Sequence, residues 1–149
     1  MPISEFATHN VVCASRDTTA LEAARLMRHH HIGDLVVVDE TEGARKPVGV
    51  VTDRDLVVEV MAGGVDPNAV KLGDLLLRAP VTVQHSASYA DTVRLMAVNG
   101  IRRIPIVDSS GVLAGIVTLD DMLRQLASPL SALADLAGRA RHFEAQTRP

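Results

Sequence analysis

Displaced against itself by 69 positions, the chain lays Arg25-Leu26-Met27 on Arg94-Leu95-Met96. The same shift puts Val12 on Val81, Ile32 on Ile101 and Val38-Asp39 on Val107-Asp108. After a loop three residues shorter in the second copy the shift becomes 66, and Gly49-Val50-Val51-Thr52 falls on Gly115-Ile116-Val117-Thr118, with Asp55 on Asp121. An ordered series of matches over such a span marks an internal duplication. Whatever the first copy folds into, the second folds into as well.

Each copy reads as β-α-β-β-α. A short apolar strand, Val11–Cys13 or Val81–Val83, comes first. The helix after it opens on a capping pattern, Thr19 with Glu22 and Ser88 with Asp91, in which side chain and backbone satisfy each other's orphan groups. Helical spacing puts Leu21, Ala24, Met27 and His31 on one face, and Ala90, Val93, Met96 and Gly100 on its counterpart. Two β-branched runs follow in each copy, Leu35–Val38 with Val48–Val51 and Ile104–Val107 with Val112–Val117; Asp108-Ser109-Ser110-Gly111 is a hairpin signal. A second helix begins near Asp53 or Leu119. The stretch between copies carries Leu72, Leu75, Leu76 and Leu77 and is too apolar for a free linker. Ser128-Pro129 reads as an N-cap followed by proline at the first helical position, opening a C-terminal helix striped by Leu130, Leu133, Leu136 or Ala137, and Ala140 before the polar end HFEAQTRP. The divisions expected are repeat 1 over 7–62, a connecting segment over 63–79, repeat 2 over 80–127 and a helix and tail over 128–149.

Composition narrows the function classes. The 149 residues suit one domain or two very small intertwined ones. With two Phe, one Tyr and no Trp the core is aliphatic, and the aromatic faces on which single-stranded bases stack are missing. A net charge of −3 offers no bulk attraction to nucleic acid or to anionic lipid. No apolar run reaches the ~20 residues that span a bilayer, and MPISEFATHN lacks the basic start and apolar stretch of a signal peptide. Cys13 stands alone, which rules out an internal disulfide and a four-thiolate zinc site. A reducing, cytoplasmic setting is expected.

Two heptapeptides at matching places in the repeat carry a resemblance: Gly49-Val50-Val51-Thr52-Asp53-Arg54-Asp55 and Gly115-Ile116-Val117-Thr118-Leu119-Asp120-Asp121. With Gly100-Ile101-Arg102-Arg103-Ile104-Pro105-Ile106-Val107-Asp108 they resemble a tandem pair of CBS domains over about residues 7–127. The resemblance implies an α/β fold in which two β-α-β-β-α CBS repeats pack through their sheets about a pseudo-twofold axis. It implies a regulatory module, not an enzyme, that takes AMP, ADP or ATP between the repeats and signals to an effector protein. Thr52 and Asp55 would complete one pocket with Val81, Ile101, Arg102 and Arg103; Thr118 and Asp121 would complete another with Val12, Ile32 and Gly33. A homodimer is implied too, through exposed apolar side chains among Leu56, Val57, Val60, Met61, Met122, Leu123 and Leu126.

The chemistry of such a pocket is reasonable in itself. A strand hands a Thr hydroxyl to the first turn of a helix, whose free N–H groups and dipole favour a phosphate oxygen. An ionised Asp three residues on accepts charge-assisted hydrogen bonds from a ribose diol. The same Thr-x-x-Asp spacing is also an ordinary capping box. An S-adenosylmethionine or NAD(H) sensor and a ligand-independent scaffold therefore stand as alternatives. His29-His30-His31 fits a helix end better than a metal tract, and Cys13 in an apolar strand fits a buried thiol better than a redox sensor. No GxGxxG, Walker, HExxH or nucleophile–histidine motif is present. Because the second copy has Arg102-Arg103 where the first has Gly33-Asp34, the pocket with Thr52 and Asp55 is expected to hold phosphorylated nucleotides more tightly.

Overall fold

The computed structural model describes residues 1–147. Each repeat builds a three-stranded sheet, β1 (Cys13–Ala14), β2 (Asp34–Thr41) and β3 (Ala44–Thr52) in the first, β4 (Val83–Gln84), β5 (Arg103–Val107) and β6 (Leu113–Thr118) in the second. In both, the first strand pairs parallel with the second and the second antiparallel with the third. The parallel pair requires a crossover, supplied by α1 (Ala20–His30) and α3 (Tyr89–Asn99). Bulges fall at equivalent places, between Val37 and Val38 and between Ile106 and Val107. The first strands begin two residues later and end one residue later than the expected apolar runs. Cys13–Ala14 and Val83–Gln84 are the stretches in ladder register with β2 and β5, flanked by bonds from Val36 N–H to the Val12 carbonyl and from His85 N–H to that of Val107.

The strand cores behave as β-branched sequence should. Leu35, Val36, Val37, Val51, Ile104, Ile106 and Val117 are all buried. Leu35, Val37 and Val51 face α1, and Ile104, Ile106 and Val117 face α3, while Val36, Val38 and Ile116 form a third cluster joining the two sheets. The repeats thus pack through their sheets.

The helix faces differ from expectation. α1 buries Ala20, Ala23 and Met27, and α3 buries Thr92 and Met96. Small side chains let α1 approach the sheet, and Thr92 is tolerated inside because its hydroxyl donates to the Ser88 carbonyl one turn back, 2.9 Å. Thr19 closes a full capping box with Glu22. Ser88 accepts from the Asp91 N–H and its hydroxyl donates to the Asp91 carboxylate. Both helices end on a left-handed residue at equivalent places, His31 (φ 54°) and Gly100 (φ 62°).

The segments ahead of each repeat cross to the other. Residues Ile3–Phe6 and Leu72–Leu75 form matching 3-10 turns. Ile3 is buried in the core of repeat 2 and Leu72 in that of repeat 1. Their backbones repeat the same contacts: Ile3 N–H donates to the Ala87 carbonyl and Leu72 N–H to that of Thr18, both 2.8 Å. The apolar connector therefore packs on the module, as its leucines required.

After β3, α2 comprises an α-turn, Asp53–Asp55, and a π-helical run, Leu56–Met61. After β6, α4 (Leu119–Thr147) is a single 29-residue helix. It does not restart at Ser128. Pro129 lies inside it, where it removes one N–H that would have bonded to the carbonyl of Gln125; Gln125 is exposed to water, and the Leu- and Ala-rich flanks favour helix on both sides. Arg148 and Pro149, the last residues of the expected polar end, lie outside the described residues. Val60 and Met122, expected among exposed dimer contacts, are buried, because they lie on the inner sides of α2 and α4. Val57, Met61, Leu123 and Leu126 are exposed. Among the described residues no helix is long and apolar enough to cross a membrane.

Candidate functional site

β3 ends at Thr52 and β6 at Thr118, and each threonine caps the helix it leads into. In repeat 1, Thr52 N–H donates to the Asp55 carboxylate, 2.8 Å, and Asp55 N–H to the Thr52 hydroxyl, 3.2 Å. Repeat 2 has the same two bonds between Thr118 and Asp121, and the Thr118 hydroxyl also donates to Asp121, 2.8 Å. Arg124 lies 3.8 Å from the other Asp121 oxygen. Asp121 is thus the more heavily engaged of the two acids, and Asp55 the better placed to accept from a ligand.

Thr52 and Asp55 open onto a cleft of about 690 Å³. Val81, Ile101, Arg102 and Arg103 line the same cleft, so all six residues expected in that pocket are brought together. Its far wall is the connector, Leu75 to Pro80. Leu76 packs so closely on Gly49 that a Cβ there would come within 2.5 Å of a Leu76 methyl. At the equivalent Gly115 a Cβ would lie 3.0 Å from the Thr8 carbonyl oxygen. The motif glycines therefore make room for the crossing segments.

The second group, Thr118 and Asp121 with Val12, Ile32 and Gly33, is differently arranged. Val12 and Ile32 pack against the repeat 1 core. The Gly33 carbonyl accepts the Asp53 N–H, 2.9 Å, and the Asp53 carboxylate lies against the Gly33 α-carbon. Asp53 also lines the Thr52 cleft, so its carboxylate stands between the two sides.

The two sides differ at equivalent positions. Arg54 and Arg78 also line the cleft; their equivalents are Asp120 and His9. Arg102 has Gly33 as its equivalent. At these three positions one side carries guanidinium groups where the other carries a carboxylate, an imidazole and a glycine, and the arginines share their cleft with Asp53, Asp55 and Glu59. Neither Arg54 nor Arg78 was evident as a site residue from sequence. The shift of 66 already aligned Arg54 with Asp120, but placing Arg78 required knowing that the connector crosses back over the first repeat.

Arg103 faces two ways. It lines the cleft, and its Nη1 lies 2.7 Å from Asp34 Oδ1 in the other repeat, both side chains being mostly buried. Burial pushes the Asp34 carboxyl above its ordinary range; Arg103 opposes that rise through charge and hydrogen bonding, while Asp53 adds to it. Burial also raises the Cys13 thiol, partly offset by Arg45, which leaves Cys13 a poor nucleophile. Among the described residues no group of three His, Cys, Asp or Glu side chains is placed to hold a metal ion.

Comparison with known proteins agrees with this architecture. Residues 3–62 and 72–128 each match the family described as CBS domain. An uncharacterized protein of Methanopyrus kandleri is 40% identical over 82% of this chain, which spans only 61% of that relative's length. The crystal structure of Hypoxic Response Protein I, which holds two coordinated zinc ions, superposes with a TM-score of 0.74 at 31% identity, over 83% of this chain and 98% of that one. A Pyrobaculum aerophilum protein solved in complex with AMP has the same fold, with a TM-score of 0.74 at 22% identity over 86% of this chain and 99% of its own.

Proposed function

The chain belongs to the CBS domain family, and on that premise we propose that it is a non-enzymatic regulatory module that binds AMP, ADP or ATP in the cleft between its repeats. The observation that carries this reading is the convergence on one cleft of Asp55, a capped helix start at Thr52, and the guanidinium groups of Arg54, Arg78 and Arg102. Asp55 accepts from the ribose diol, Val81 and Ile101 flank the base, and the arginines meet the phosphates. That a protein of the same fold was crystallised with AMP supports the ligand class. S-adenosylmethionine and NAD(H) share the adenosine half, but a cationic sulfonium has no use for three arginines.

Transmission to the effector protein follows from Arg103. A phosphate in the cleft competes with Asp34 for its guanidinium. Occupancy then loosens an ion pair that ties one repeat to the other. The other side, with Thr118, Asp121 and Gly33, lacks the three arginines and takes at most a nucleoside or a cationic adenosine compound. The functional unit is a homodimer, for which Val57, Met61, Leu123 and Leu126 offer exposed apolar surface.

The direct test is to denature the purified protein and identify what it releases. Recovery of an adenine nucleotide in amounts near one per chain supports the reading. Recovery of S-adenosylmethionine or NAD(H) transfers the site to that ligand. A protein that releases nothing and binds no adenosine compound is a scaffold.

A further inference from the structure

One face of α4 is not spaced as on an ordinary surface helix. Half-buried Leu119 and then Leu123, Leu126, Leu130, Leu133, Ala137 and Ala140 alternate steps of four and three, with exposed Leu136 beside them, the 3.5-residue period of a coiled-coil seam. Leu123, Leu126, Leu130 and Leu133 are 46–64% exposed. We propose that this seam pairs antiparallel with the α4 of a second copy, centred between Leu130 and Leu133. The proposal deepens the homodimer reading by naming its surface, and it is independent of the nucleotide.

Three complementarities choose that occupant and direction. Antiparallel pairing about this centre sets Leu123 against the partner's Ala140 and Leu126 against the partner's Ala137, so large meets small in each outer layer; parallel pairing stacks alanine on alanine at one end and leaves it hollow. On one flank of the seam, Asp120 comes opposite the partner's Arg141, twice by symmetry, whereas in parallel pairing these charges stay two turns or more apart. On the other flank Met122 comes opposite the partner's Phe143. Met122 floors an apolar groove of about 510 Å³ between α3 and α4, bordered by Val93, Ala97, Leu123 and Leu126. Phe143 is itself 63% exposed, and the groove is of a size to receive its ring.

The test combines light scattering on the full chain with one distance. Leu130→Glu with Leu133→Glu alters only exposed positions; a far-ultraviolet spectrum and melting transition like wild type establish that it folds. The variant is expected to show half the mass of wild type. Asp120→Arg should weaken association at least several-fold, and adding Arg141→Asp should restore it. With Cys13→Ser and His142→Cys carrying a spin label, the distance between copies is expected at about 30 Å or more, from a rise of 1.5 Å per residue; parallel helices would hold the labels within about 20 Å. A monomeric wild type at 100 μM would overturn both this proposal and the homodimer reading. An associated variant with unchanged mass, a short label distance, or no rescue by Arg141→Asp would overturn the seam alone.

Discussion

Asp34 and Arg103 hold the same place in the two repeats, 69 residues apart, and the two meet across the molecule at 2.7 Å. Around a pseudo-twofold axis a position close to the axis approaches its own equivalent. Identical residues there would set like against like. Divergence of the two copies to opposite charges turned that point into an ion pair that links the repeats at the edge of the cleft.

The pair makes a signed prediction. The Asp34 carboxyl titrates above the ordinary aspartate range, burial being the main cause. A raised folded-state pKa gives a contribution to stability that is fully present below the unfolded value and is lost as pH rises through the folded one. At neutral pH ionised Asp34 is therefore a cost that Arg103 offsets. Arg103→Ala should move the Asp34 titration higher still, measured by carboxyl-carbon NMR. It should also destabilise more than Asp34→Asn, by about 2 kcal/mol against about 1 kcal/mol, since a stranded carboxylate beside Asp53 fares worse than a guanidinium that can reach water. Equal losses would show that the pair's burial has been misjudged.

His31 ends α1 in the left-handed region where its counterpart is Gly100. A residue with a side chain is strained there, glycine is not. His31→Gly should stabilise by about 1 kcal/mol, raising the melting temperature by about 4 °C without affecting ligand binding.

Thr52→Ala and Thr118→Ala each remove a helix cap and should cost about 1 kcal/mol in the free protein. Their effects on ligand binding should diverge. Calorimetric titration with AMP is expected to weaken markedly for Thr52→Ala and to stay near wild type for Thr118→Ala. Matching losses would mean that the two sides bind alike.

Arg102→Ala separates phosphate from nucleoside. Losing one charge-assisted contact of about 1.5–3 kcal/mol corresponds to a loss of roughly ten- to hundred-fold in AMP affinity, with adenosine affinity unchanged. Parallel losses for both ligands would place Arg102 against the base or ribose.

Much of this molecule was legible in its sequence, for reasons that also set the limit. Duplication declared itself through offsets of 69 and 66, and β-branched runs located β2, β3, β5 and β6 because a buried strand needs little else. The buried faces of α1 and α3 depart from the spacing because ALEAARLM carries two overlapping apolar stripes, and because Thr92 satisfies its hydroxyl within its own helix and so counts as core. Pro129 looked like a beginning since proline favours first turns, yet strong helix formers on both sides carry α4 through it. Thr52, Asp55, Val81, Ile101, Arg102 and Arg103 could be gathered through the family resemblance that the two heptapeptides of the repeat carry. Arg78 could not, because apolar spacing says that the connector packs but not onto which repeat. Nor could spacing show that Arg103 turns to Asp34.

The most direct test of the account is the melting temperature of the wild-type chain with millimolar AMP or ATP, set against Asp55→Ala. A ligand at a hundred times its dissociation constant adds ~2.7 kcal/mol, which for a chain of this size raises the transition by roughly 5–10 °C. The account predicts that rise for wild type and a clearly smaller one for Asp55→Ala. A transition that no adenosine compound moves, or one that moves equally in both proteins, would contradict it.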